Sequence, residues 1–149
     1  MEKVILNQFK ISDDKKLLQL ETVHFWLKNS YWATNIPFDL VQAGVNNSLC
    51  FGIYNQGEQV AFSRVISDYA TFAYLADVVV DEKFRGLGLA KEMMKFILEH
   101  PQLQGLHRFM LATKDAHKLY EQFNFKVAES PENILEIKVK DIYLRNTRI

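Results

Sequence analysis

Residues 75–100, LADVVVDEKFRGLGLAKEMMKFILEH, constrain the fold more than any other part of the chain. They read as an apolar strand, a glycine-broken turn and an amphipathic helix. The strand is rich in valine, whose β-branched side chain suits a pleated surface. Asp81, Glu82 and Lys83 end that run, and Gly86 and Gly88 then remove side chains where a backbone must turn tightly or approach a ligand. From Leu89 the apolar residues Leu89, Met93, Phe96 and Ile97 recur at helical spacing. Such a turn gathers free N–H groups at the start of a helix, where partial positive charge suits an anion such as a phosphate or pyrophosphate. Arg85 adds a formal charge at the rim. The competing reading is a plain tight connection. Two nucleotide patterns are excluded: Gly86 and Gly88 lack the third glycine of GxGxxG, and no Gly-Lys-Ser/Thr follows.

The rest of the chain supplies a mixed α/β pattern. Residues 4–9 read as a first strand. Ser12 reads as the N-cap of a helix that carries Leu17, Leu18, Leu20 and Phe25 and ends near Lys28. Residues 29–37 are a loop by their Asn, Ser and Pro content, and Pro37 suits the first turn of a second helix. Residues 48–54, 59–66 and 71–80 read as three strands of an antiparallel meander. After the glycine turn and its helix, Pro101 and Gly105 mark breaks, and residues 107–112 form a strand. Strand, helix, strand in this order implies a right-handed crossover and parallel pairing. Residues 115–123 read as a short helix capped by Asp115 or Thr113, with Asn124 as a left-handed residue after it. Residues 125–128 begin a strand, and residues 134–139 alternate apolar and charged side chains as an antiparallel strand with one wet face does. Residues 146–149 read as a loose tail.

Length and composition fit one domain over residues 1–149. Eighteen basic residues balance 18 acidic ones, which argues against a dedicated nucleic-acid binder. Cys50 is the only cysteine, so an intrachain disulfide and a cysteine metal cluster are excluded, and no metal site is expected. The N-terminus does not read as a signal peptide and no apolar run is long enough for a membrane span. A cytoplasmic enzyme or binding module with no membrane partner is the expectation.

Two segments together resemble the GNAT superfamily of N-acetyltransferases. The first is Arg-x-x-Gly-x-Ala, from Arg85 through Gly88 to Ala90, behind the Val78-Val79-Val80 strand. The second is Ala116-x-x-Leu119-Tyr120-x-x-Phe123-Asn124-Phe125. The resemblance implies a mixed, mostly antiparallel central sheet, a parallel strand pair at the cofactor site and helices on both faces. It implies acetyl-CoA as cosubstrate. Its pyrophosphate would be held by the amides of Arg85, Gly86, Leu87, Gly88, Leu89 and Ala90, and its pantetheine arm by Val78, Val79 and Val80. Tyr120 takes the place of the tyrosine that protonates the departing CoA thiolate. A phenol with a pKa near ~10 is protonated at neutral pH and able to donate. The other reading of Tyr120 is a core ring whose hydroxyl finds a partner. Asn124 replaces the family's glycine, a change the backbone tolerates, and Thr113 stands where an asparagine often contacts CoA.

Asp77 is the acceptor-side candidate, because a carboxylate among apolar strand residues is costly to bury without a purpose. It either recognises the amine and assists its deprotonation, or pairs with Arg64 or caps backbone amides. Ala76 occupies one half of the acidic pair of polyamine acetyltransferases, and Phe72 stands near the glutamate of some protein acetyltransferases. Tyr31 and Trp32 either plug the core or form an aromatic wall for the acceptor, and Asp68, Tyr69 and His117 are weaker candidates. Three functions are weighed: direct acetyl transfer to a small-molecule or peptide amine, a non-catalytic acyl-CoA-binding module, and a cofactor-free interaction domain. Agreement between the two segments counts against the third; Tyr120 and Asp77 count against the second. The acceptor's identity, acyl groups larger than acetyl and a homodimer are left open by the sequence.

Overall fold

The computed structural model describes residues 1–145; the expected tail lies outside them. One sheet orders its strands as they occur in the chain. Strands β1 (Glu2–Ile5), β2 (Phe9–Ser12), β3 (Leu49–Asn55), β4 (Glu58–Ser67) and β5 (Phe72–Val80) pair antiparallel, and β6 (Arg108–Leu111) pairs parallel to β5. The helices are α1 (Leu20–Lys28), α2 (Phe38–Asn46), α3 (Leu89–Leu98) and α4 (His117–Glu121).

The strands alternate their side chains between two cores, one on each face. Phe51, Ile53, Val65, Ala73 and Leu75 meet Leu89, Met93, Met94, Phe96 and Ile97 of α3, with the Phe51 and Phe96 rings edge to face at 5.9 Å. On the opposite face Cys50 and Phe62 meet Val23 and Leu27 of α1 and Val41 and Val45 of α2. Each large side chain removed from water in this way contributes roughly 1.5–3 kcal/mol. The parallel pair lies in register from Phe72 with Arg108 to Leu75 with Leu111, as the crossover predicts.

Three expectations are corrected. Residues 4–9 are two strand ends and a turn, because Leu6 and Asn7 take left-handed φ values of 50° and 58° and Gln8 N–H closes on the Ile5 carbonyl. The apolar run through Ile5 and Leu6 hides this turn.

Ser12 does not cap a helix. It ends β2, and its Oγ accepts from Asp14 N–H at 3.0 Å. A 3-10 turn, Lys15–Leu17, comes first, capped by Asp14, and α1 begins only at Leu20. The break is held from β4: Gln59 Oε1 accepts from Gln19 N–H at 2.7 Å, and Gln59 N–H donates to Gln19 Oε1 at 3.0 Å.

Residues 125–128 and 134–139 form no strand. They run beyond α4 with only a 3-10 turn, Pro131–Asn133, between them, and Leu135 and Ile137 are 90% and 100% exposed. Alternation says which face of a strand would be apolar, but a strand exists only against a hydrogen-bonding neighbour.

Candidate active site

The site begins with an irregularity in β5. Ala76 pairs with Arg64 and Val79 with Phe62, so Asp77 and Val78 together oppose Ser63. This is a β-bulge, which bends its strand and re-aims side chains. Asp77 sits in it at φ 57°, the left-handed region that favours glycine. Pairing between β5 and β6 stops at Leu75 and Leu111, so residues 76–80 have no neighbour on the β6 side. The parallel strands diverge there, at the carboxyl end of β5, where a sheet of this kind takes ligands.

Beyond Val80 the chain makes a 3-10 turn, Glu82–Phe84, capped by the Asp81 carboxylate, which accepts from Lys83 N–H at 2.9 Å. Arg85 is anchored by its Nε, which donates to the Val80 carbonyl at 3.2 Å. Gly86 and Gly88 have φ of 80° and 88°, and a Cβ on either would meet nothing within 4 Å. Both glycines are therefore required for backbone angle, and the space in front of them is open. An open cleft of about 240 Å³ lies there, lined by Val80, Phe84, Arg85, Gly86, Gly88, Leu89, Ala90, Lys91 and Leu119. Leu119 brings α4 against the glycine turn.

Tyr120 is the next residue of α4 and is largely buried, its ring edge to face with Phe125 at 6.1 Å. Burial pushes its phenol up to about 12, and the nearby Tyr31 phenol and Asp115 carboxylate add to the shift. Among the described residues no group hydrogen-bonds its hydroxyl, and the sealed, unpartnered side-chain oxygens are those of Tyr54 and Ser63. The Tyr120 oxygen thus keeps solvent access although its ring is packed. Thr113 Oγ1 accepts from Ala116 N–H at 3.0 Å, which tethers the start of the α4 turn. Asn124 is left-handed at φ 70°, as expected for the residue after a helix.

The loop between α1 and α2 reaches the same region. Tyr31 and Trp32 stack edge to face at 5.1 Å and are exposed, so they do not plug the core. Trp32 Nε1 donates to Asp77 Oδ1 at 2.8 Å, Arg64 Nε donates to Asp77 Oδ2 at 2.6 Å, and Arg64 also donates to Ser48 Oγ at 3.0 Å. The Lys114 ammonium lies 5.2 Å from the centre of the Tyr31 ring. Asp77 and Arg64 also line a small recess together with Leu27, Ile36, Leu40, Val41 and Phe62.

Residues 15–125 match the model of the acetyltransferase (GNAT) family. The chain belongs to the GNAT acetyltransferase family. A protein of Gibberella zeae described as a candidate acetyltransferase is 30% identical over 135 residues, covering 75% of each chain. The crystal structure of a candidate GNAT acetyltransferase from Xanthomonas campestris pv. campestris is 47% identical, covers 91% of this chain and 96% of its own, and superposes with a TM-score of 0.89. Glucosamine-6-phosphate N-acetyltransferase from Arabidopsis thaliana shares the fold at 17% identity and a TM-score of 0.65, with 89% of this chain and 99% of that one covered.

Within this GNAT domain the fold brings the glycine turn, Tyr120, Tyr31, Trp32 and Asp77 around the divergence of β5 and β6. Asp68 and Tyr69 sit apart, in the β4–β5 turn, where the Asp68 carboxylate accepts from the Ala70, Thr71 and Phe72 amides and from the Thr71 hydroxyl. Sequence reading did not single out Phe84, Lys91 and Leu119 as cleft residues. Lys91, in the first turn of α3, was legible as a second cation beside the glycines; the two apolar walls carry no local signal. Among the described residues, no group of three or more His, Cys, Asp or Glu is placed to hold a metal ion. No helix there is long and apolar enough to cross a membrane.

Proposed function

We propose that the chain transfers the acetyl group of acetyl-CoA directly to a primary amine. The observation that carries this reading is the meeting of two elements: Leu119 lines the same cleft as Gly86, Gly88 and Ala90, so the adjacent Tyr120 stands beside an open glycine turn. The residues suit the cosubstrate. The turn's amides, from Arg85 to Ala90, face space that no side chain fills, and Arg85 and Lys91 supply positive charge for a pyrophosphate. Val78, Val79 and Val80 have a backbone edge released from β6 that matches the amide groups of a pantetheine arm. Thr113, whose Oγ1 accepts from Ala116 N–H ahead of α4, offers its hydroxyl proton.

The chemistry then runs in one displacement. The amine nitrogen forms a bond to the acetyl carbon, the carbon–sulfur bond breaks, and Tyr120 donates its proton to the leaving thiolate. The nucleophile must lose a proton. Asp77 accepts two hydrogen bonds already, yet a carboxylate has about four acceptor sites, so it retains capacity to draw in an ammonium and take its proton. Tyr31 and Trp32 form the wall against which the acceptor lies, small molecule or peptide.

Calorimetric titration with acetyl-CoA, followed by a thiol-release assay over a panel of small and peptide amines, tests the reading. Binding together with amine-dependent thiol release supports it. Binding with no release for any amine turns the chain into an acyl-CoA-binding module. No binding at millimolar acetyl-CoA removes the cofactor reading altogether.

A further inference from the structure

The chain carries a primary amine of its own beside the acceptor wall. Lys114 is exposed, and its ammonium lies 5.2 Å from the centre of the Tyr31 ring. No carboxylate among the described residues is paired with it, whereas Lys3, Lys10 and Lys95 each face a glutamate. A cation over an aromatic ring is held only weakly where both meet water, so this amine is free to move. Tyr31 ties it to the reacting end of the site from two directions. Its ring meets Trp32 edge to face at 5.1 Å, and Trp32 donates to Asp77. Its phenol is close enough to Tyr120 to help raise that residue's pKa. Lys114 also follows Thr113, whose Oγ1 accepts from Ala116 N–H, so the backbone carrying the amine is anchored just ahead of α4 and Tyr120. Lys91 stands instead at the glycine turn, among Gly86, Gly88 and Ala90.

We propose that Lys114 is an acetylation site that the chain modifies in itself, an inference that rests on the direct-transfer reading above. The ammonium first loses a proton to water. Its Nζ then bonds to the acetyl carbon as the carbon–sulfur bond breaks. The thiolate takes the Tyr120 proton, and the nitrogen sheds a second proton, which restores the phenol. The products are acetylated Lys114, the CoA thiol and the proton released at the start. Tethering raises the effective concentration of the amine, so a single turnover needs no added acceptor. The amide is neutral, so the modified chain loses the charge held over Tyr31.

Mass spectrometry of the purified full chain, incubated with acetyl-CoA and no added amine, tests this. Calorimetric binding of acetyl-CoA and the amine-panel assay are run on the same preparation. The expected result is one acetyl group per chain, mapped to Lys114, with a rate constant independent of protein concentration. Tyr120→Phe should slow labelling of Lys114 by on the order of a hundredfold and leave slow background labelling of other lysines unchanged. Lys114→Arg keeps a cation and removes the nucleophile, so it should abolish thiol release in the absence of added amine. Label spread evenly over surface lysines, a rate constant that rises with protein concentration, or amine-independent release that persists in Lys114→Arg overturns the proposal. An unlabelled Lys114 in a chain that acetylates an added amine overturns it while the direct-transfer reading stands. Absence of acetyl-CoA binding removes both.

Discussion

Arg64 Nε donates to Asp77 Oδ2 at 2.6 Å across the β-bulge, and Asp77 holds φ at 57° while doing so. A left-handed backbone is unfavourable for a residue with a Cβ. Here the carboxylate compensates by pairing a guanidinium that is only partly exposed and by fixing Trp32 through its indole N–H. Backbone strain, ion pair and aromatic wall are one connected device. It predicts an order of stabilities. Asp77→Ala loses both hydrogen bonds and keeps the strain, costing about 1–3 kcal/mol. Asp77→Gly loses the same bonds but is at ease in the left-handed region, so it should be about 1 kcal/mol more stable than the alanine variant. Urea unfolding measures both, and the reverse order would contradict the account.

The glycine turn separates a backbone effect from a ligand effect. Gly88→Ala meets no atom within 4 Å but is held at φ 88°, so stability should fall by about 1 kcal/mol through backbone alone. Leu87 is exposed, so Leu87→Glu should shift stability by less than about 0.5 kcal/mol. It should still weaken acetyl-CoA binding by about 1 kcal/mol, roughly fivefold, through repulsion of the pyrophosphate. Raising the salt concentration should shrink that penalty.

Tyr120→Phe should lower kcat by on the order of a hundredfold and leave acetyl-CoA affinity unchanged, since only proton donation is removed. The protonated phenol is the active form. Burial, then Tyr31 and Asp115, push its pKa up to about 12, so loss of this acid should not limit the rate below that pH. An alkaline limb near pH ~9 that vanishes in the phenylalanine variant would be inconsistent with this acid.

Asp68 makes a pH prediction of opposite sign. The Thr71 hydroxyl first, then the Thr71, Ala70 and Phe72 amides, hold its carboxyl well below the ordinary value of 3.8. A lowered pKa stabilises the fold above that ordinary value, and the contribution is lost as pH falls below it. The melting temperature of wild type should therefore exceed that of Asp68→Ala near neutral pH, and the gap should close progressively from about pH 4 downward. A gap independent of pH would mean that charge on Asp68 contributes nothing.

Local signals in the sequence were dense around α3. Valine-rich β5, two glycines and helical periodicity specify a strand, a turn and a helix within about thirty consecutive residues, and each depends on neighbours in the chain. The same holds for Asn124, whose left-handed backbone follows from the end of α4 beside it. Pro37 and Pro101 also act through their own backbone: Pro37 immediately precedes α2, and Pro101 opens a 3-10 turn just beyond α3.

Other features rest on partners distant in sequence. The delayed start of α1 depends on Gln59, 40 residues from Gln19. Asp77's link to Trp32 spans 45 residues, and the sequence could only offer Arg64 as one of several partners. Residues 134–139 show the limit most plainly. Their alternation is a property of the chain and is visible in it, but a strand requires a second backbone at hydrogen-bonding distance, and the sheet ends at β6 without them. Sequence alone determined the elements that local backbone preference and side-chain periodicity can define: the meander, the glycine turn and the helix after it. Tertiary structure decided which side chains share the divergence of β5 and β6, because that depends on where a bulge bends the sheet and on contacts between residues far apart in the chain.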